Sequence, residues 1–211
     1  DFFVKQDLDK EYKNATLEIV ARVKNYSTKK SKGQSLTATL YDKQGNEIAK
    51  KTVSGKALLG QQEQQLAVKM DVMNPEKWTA ETPNLYTVVL SNSEGEILSS
   101  KIGFRKLEIN GRIMTVNGVP LKLKGVNRHE HWSEVGHAVT EEQMIRDLQV
   151  IKQGNCNHIR TCHYSDDPRW YELCDEWGIW LVAEANCECH GYDGKFDEEP
   201  LMKAAILDRN V

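Results

Sequence analysis

The sequence predicts a multi-domain chain of β and α/β type, a β-sandwich followed by the opening β/α units of a barrel. Three observations carry this. Over the first hundred residues, short apolar segments alternate with polar residues at a period of two, and no helical period appears. Beyond Leu121 the pattern becomes strand, helix, strand, helix, strand, with short connections. Charged residues and histidines gather just where each of those later strands ends, which is where an α/β barrel builds its active site.

In order, residues 15–26 set Leu17, Ile19, Ala21 and Val23 against polar neighbours, as a strand with one wet face requires. Leu36, Ala38 and Leu40 repeat the pattern, Asp42-Lys43-Gln44-Gly45-Asn46 reads as a hairpin turn, and residues 47–53 return. Leu66, Val68 and Met70 alternate again. Residues 85–90 form a further strand, and a turn at 92–95 leads to one ending at Ile102. Seven or so strands at this spacing suggest an immunoglobulin-like sandwich, and the lack of cysteines here argues against the disulfide-bonded type. Trp78 and Tyr86 read as packing residues rather than a sugar platform.

The character changes at Gly103-Phe104-Arg105, so the domains are drawn as 1–103 and 104–211. Asn110-Gly111 predicts a type I′ hairpin joining 107–109 to 113–116. Asn117-Gly118 then turns the chain into 121–126, the first strand of the second domain, and 127–132 is a polar loop. Thr140 with Gln143 makes a capping box for a helix that packs Met144, Leu148 and Ile151 inwards and stops at Gly154. Residues 157–164 form the second strand. Asp167 caps a helix with Pro168 first, its stripe is Trp170, Leu173, Cys174 and Trp177, and Gly178 ends it. Residues 179–183 are a near-continuous apolar run, as a strand covered on both faces needs, and 199–210 reads as a third helix.

Composition excludes several classes. With 28 basic and 31 acidic residues interspersed, net charge −3, there is no basic stripe for nucleic acid. No apolar run approaches the length that spans a bilayer, and the first residues lack a signal-peptide core. Five cysteines between Cys156 and Cys189 contain no CxxC pair and are expected to be reduced, which leans towards a cytoplasmic location.

The chemistry should lie in three loops, 127–132, 163–167 and 184–190, which a barrel brings side by side. His129, Glu130, His163, Glu188 and His190 could converge there. The plainer readings are that His129 and His131 are solvated loop residues and that His163 is bonded to backbone. His137 and His158 lie outside these loops and are assigned to structure. In an extended loop Glu188 and His190 point the same way and could share one cation, while Asn186 and Glu184 suit sugar hydroxyls.

Taken together, GFR (103–105), GVNRHEH (125–131), IRTCHY (159–164), WYELCDEWGIWLV from Trp170, and EANCECHG (184–191) resemble glycoside hydrolase family 2 in order and spacing. TPNLY (82–86) matches the end of that family's immunoglobulin-like domain. The resemblance covers nearly the whole chain, and the NRHEH loop favours the β-galactosidase branch. It implies a TIM barrel, of which this chain holds the first three β/α units, and retaining hydrolysis of terminal β-galactosides. It further implies that His129, Arg160 and His163, with Asn186, line the sugar subsite, and that Glu188 and His190 ligate magnesium. The chain departs from the family at Ala183, where Asp is common, at Ser165, where Pro is usual, and at Cys162 and Cys189, which replace small hydroxylic residues.

Retaining glycosidases use two carboxylates about 5 Å apart. In the family both follow later strands, beyond residue 211, so no catalytic residue is assigned here and this piece alone is expected to be inactive. With barrel strands left uncovered, self-association into a homo-oligomer is expected. The alternatives are a glucuronidase- or mannosidase-type family 2 enzyme, or a non-catalytic carbohydrate-binding or adhesion sandwich.

Overall fold

A computed structural model describes residues 1–192, 195 and 198–210. Two compact units divide the chain, Asp1–Leu121 and Lys122–Val211.

In the first unit, β1 (Phe2–Leu8), β2 (Ala15–Lys24) and β5 (Glu63–Val72) form an antiparallel sheet in the order β1-β2-β5. β3 (Ser35–Tyr41), β4 (Glu47–Ser54), β6 (Tyr86–Asn92) and β7 (Ile97–Ile102) form a second, ordered β4-β3-β6-β7. The period-two residues meet between the sheets: Leu17 and Ile19 of β2, Val68 and Val72 of β5, Ala38 and Leu40 of β3 and Val88 of β6 are buried in one cluster. Burying each such aliphatic side chain contributes about 1.5–3 kcal/mol. The β3–β4 turn is held by Asp42, whose Oδ1 accepts from the backbone N–H of Gln44 (2.9 Å) and Asn46 (2.8 Å). Trp78 is buried, and the Arg105 guanidinium lies 4.9 Å from its ring centroid. Tyr86 meets Phe104 edge-on at 5.0 Å. Gly103 is required by this packing, since a Cβ there would sit 2.6 Å from Trp78 Cβ.

β8 (Leu107–Asn110), β9 (Ile113–Val116) and β10 (Val119–Pro120) make a third small antiparallel sheet. The turn chemistry differs from the sequence reading. Asn110 pairs with Ile113, so the loop residues are Gly111 and Arg112, and only Gly111 has positive φ (65°). That is the pattern of a type II′ turn, not I′. The two consecutive positive φ values of a type I′ turn occur instead at Asn117 (49°) and Gly118 (78°), between β9 and β10. This sheet belongs to the first unit: Tyr12 Oη donates to Glu108 Oε2 at 2.6 Å, and Lys106 Nζ donates to the Leu8 carbonyl at 2.9 Å. The compact units therefore divide after Leu121, later than residue 103.

In the second unit, β11 (Gly125–Arg128), β12 (His158–Thr161) and β13 (Trp180–Val182) are parallel, in that order. α1 (Glu141–Gln153) and α2 (Pro168–Trp177) connect them, and α3 (Pro200–Arg209) follows β13. α1 starts on the capping box, with Thr140 and Gln143 each satisfying the other's backbone N–H. α2 starts on Asp167 and stops at Gly178, whose φ of 67° needs glycine. Met144, Leu148, Ile159, Trp170, Leu173, Cys174 and Ile179 form the core. Two strands are shorter than expected. The Asn157 side chain holds the segment before β11, accepting from Lys124 N–H (2.8 Å) and donating to the Lys122 carbonyl (3.0 Å), so pairing begins only at Gly125. Asn127 and Arg128 consequently lie in the strand rather than in a loop. β13 is not covered on both faces: Ile179 is buried, but Val182 is 47% exposed.

Candidate active site

The carboxyl end of β12 organises the site. Arg160 sits in this strand beside Val182 of β13, which brings its guanidinium to the loop that β13 feeds. Its Nε donates to Glu184 Oε1, and its Nη2 donates to His163 Nδ1 at 3.0 Å. Glu184 is fixed from both sides, its N–H bonded to Thr161 Oγ1 (2.9 Å) and its carbonyl accepting from Ser165 Oγ (3.1 Å). His129, on the loop after β11, meets His163 edge-on at 5.4 Å, and Tyr164 Oη lies 3.2 Å from His129 Nδ1. Three predicted residues, His129, Arg160 and His163, thus converge, joined by Glu184 and Tyr164.

The loop after β11 is longer than the sequence suggested. Trp132 bridges to Gly136, folding the loop back and placing His137 Nδ1 2.5 Å from the Glu130 carbonyl and 3.4 Å from Tyr164 Oη. His137 therefore lies beside the cluster, and its bond to the Glu130 carbonyl is of the structural kind expected for it. His158 is structural: it lies in β12, its Nε2 is buried without a partner, and burial lowers its pKa.

Beneath the cluster lies a buried ionic group that sequence reasoning missed. Arg128 donates from Nη1 to Asp166 Oδ2 (2.7 Å) and from Nε to Asp147 Oδ2 (2.9 Å). Its guanidinium lies 3.7 Å from the Trp170 ring centroid, and Glu130 Oε2 is 3.8 Å away. Glu130 also accepts from Asp167 N–H at 2.8 Å. Arg128 thereby ties the loops after β11 and β12 together. Burial pushes the Asp166 carboxyl up to about 6, outweighing the opposing pull of Arg128. The Arg128 position inside the GVNRHEH motif was the available signal, but nothing local marked Asp166 as its partner. Burial also raises the pKa of Tyr164.

The remaining predicted residues stand apart. Asn186 has φ 52°, and its carbonyl accepts from Arg209 Nη1 at 3.1 Å. Glu188 Oε1 and His190 Nε2 are 2.7 Å apart, with the His190 side chain 96% exposed. That spacing approaches the ~3 Å between neighbouring vertices of a magnesium octahedron. The pair thus fits two of six positions, one of them nitrogen where magnesium prefers oxygen. All five cysteines are free. Among the described residues, one cluster of possible metal ligands is His129, Cys162 and His163, with ligand atoms within 4.8 Å of one another.

Comparison with known proteins places this arrangement. The family described as "Glycosyl hydrolases family 2" matches residues 1–105, and "Glycosyl hydrolases family 2, TIM barrel domain" matches 107–210. The chain belongs to glycosyl hydrolase family 2. Among similar proteins, the β-galactosidase of Priestia megaterium is 40% identical over 99% of this chain and 22% of its own length. That of Photobacterium profundum is 41% identical over 90% of this chain and 19% of its own. The crystal structure of Parabacteroides merdae β-glucuronidase with glycerol in its active site has a TM-score of 0.77 at 29% identity, covering 87% of this chain and 23% of that one. The chain therefore spans about a fifth of the length of the curated relatives it matches. Its family 2 motifs divide by role. GFR serves sandwich packing, while GVNRHEH and IRTCHY supply the cluster and the ionic group beneath it.

Proposed function

We propose that the whole protein is a retaining glycosidase acting on terminal β-galactosides in carbohydrate catabolism. In this reading the chain supplies the sandwich and one wall of the sugar subsite. The observation that carries the reading is the convergence of His129, Arg160, His163 and Glu184 at the carboxyl ends of parallel strands. Imidazole, guanidinium and carboxylate groups held in one network offer the alternating donors and acceptors that sugar hydroxyls need. The β-galactosidases of P. megaterium and P. profundum support the galactoside over the glucuronide. So does Arg160, whose charge is already spent on Glu184 and is not free for a uronate carboxylate. A non-catalytic sandwich module would not need the β/α units or their loops.

The loop carboxylates are engaged elsewhere. Glu130 caps the backbone at Asp167, Glu184 pairs with Arg160, and Glu188 pairs with His190. We assign neither the acid/base nor the nucleophile to any of them. Glu188 and His190 would hold two positions of a magnesium ion, whose charge would order nearby oxygen groups when bound. Asn186 is kept as a sugar-contacting residue, and a cytoplasmic location and homo-oligomeric assembly are part of the same proposal. The test is hydrolysis of nitrophenyl β-galactoside and β-glucuronide by the whole protein, following the anomer first released by NMR. A β-galactose product, with kcat/KM reduced at least about a hundredfold by His163→Ala, is expected. Preference for the glucuronide, or release of the α anomer, overturns the proposal.

A further inference from the structure

We propose that His129, Cys162 and His163 form a binding site for a borderline-soft divalent cation, zinc. One nitrogen from each ring and Cys162 Sγ lie within 4.8 Å of one another. Tetrahedral zinc, with bonds of ~2.0–2.3 Å, asks for donors ~3.5 Å apart, so closing the site takes shifts of about 1 Å. The donors can make that move: His129 is exposed and His163 half-buried, both at the ends of loops.

Donor chemistry selects the metal. Two imidazoles and a thiolate suit zinc and reject magnesium and calcium, which want oxygen. Three protein donors leave a fourth position for water. Support for the rings is already present. Tyr164 Oη is 3.2 Å from His129 Nδ1. His163 Nδ1 accepts from Arg160 Nη2 at 3.0 Å, so binding through Nε2 moves the ring proton to Nδ1 and exchanges that bond for one donated to Glu184 Oε2, 3.5 Å away. Such hydroxyl and carboxylate neighbours are what orient metal-bound imidazoles. Arg160, the cation beside the site, is paired with Glu184, so its charge does not repel the metal uncompensated. Cys162 is buried, and its thiol donates to the Arg128 carbonyl at 3.3 Å. Binding breaks the S–H bond and forms a Zn–S bond. The thiol proton leaves to buffer, with no change of oxidation state. If the sugar subsite is as proposed above, zinc would occupy it and act as a competitive inhibitor. That corollary rests on the functional reading, whereas the site itself does not.

The test is titration of this chain with Co2+ as a spectroscopic stand-in, followed by displacement with Zn2+. The expected result is one equivalent bound with a thiolate-to-cobalt charge-transfer band. Zn2+ should abolish it, excess Mg2+ should leave it unchanged, and calorimetry in two buffers should report a proton released. Cys162→Ser should remove the band, and His129→Gln should weaken binding about tenfold or more. His129 is exposed, so that variant decides the matter even if Cys162→Ser misfolds. A Cys187→Ser/Cys189→Ser double variant should bind as the parent does. No band in the parent chain, or a band lost only in the double variant, overturns the proposal.

Discussion

Replacing Arg128 by Met tests whether the buried ionic group holds the loops of the cluster. The Asp166 side chain is fully buried, and Arg128 Nη1 at 2.7 Å is its charged partner. Removing the guanidinium strands that carboxylate, a loss of about 3–5 kcal/mol for a buried pair. The loss should depend on pH, and its sign follows from Asp166. This acid has its folded pKa raised from 3.8 to about 6. Its protonated form is therefore favoured by folding, and the stability it contributes is full below 3.8 and lost as pH rises through about 6. That gap corresponds to roughly 3 kcal/mol. Arg128 is the main influence pulling the value down. Without it the carboxyl holds its proton to higher pH, and the variant's penalty grows between about pH 6 and 8. Urea unfolding followed by tryptophan fluorescence reads this, because Trp132, Trp170, Trp177 and Trp180 lie in the second unit against Trp78 in the first. At pH 8 Arg128→Met should lose several kcal/mol. At pH 5, with Asp166 protonated in both proteins, most of the loss should vanish. Adding Asp166→Leu should recover stability at pH 8. An equal loss at both pH values, or no recovery in the double variant, would refute the reasoning.

Two further outcomes are expected. Gly103→Val drives a Cβ to 2.6 Å from Trp78 Cβ and should lower the unfolding free energy of the sandwich by about 1–3 kcal/mol, read at Trp78. Leu123, Val126 and Val182 are 43, 39 and 47% exposed, so light scattering of this chain at micromolar concentration should show a dimer or larger. Val182→Lys should shift it towards monomer, and an unchanged mass would place the contact elsewhere.

How much of this was legible in the sequence depends on how local each determinant is. The capping box at Thr140, the stop at Gly178 and the stripe of α2 lie within one helical turn of the residues they govern, and each was readable. The sandwich core was readable because a period of two states which face is buried, whatever the strand order. Turn type was harder. Asn110-Gly111 and Asn117-Gly118 are the same dipeptide, yet only the second has both residues at positive φ. The difference is the register of β8 on β9, which pairs Asn110 with Ile113 and pushes the turn one residue on. The site divides along the same line. His129 and His163 stand at strand ends, where the β/α alternation expected them to lie side by side, whereas Arg160 was marked only by the IRTCHY motif. Asp166 and Arg128 are 38 residues apart, and their pairing depends on how α1 and α2 pack over the sheet. Trp170 is the residue that joins the two accounts. It reads in the sequence as one member of an apolar stripe, and it is buried with that stripe. Its ring also stacks on the Arg128 guanidinium that Asp166 holds. The helix that looks like pure core is therefore also the floor of the charged group. A substitution at Trp170 chosen only to preserve apolar volume, such as Leu, would still remove the surface on which Arg128 lies.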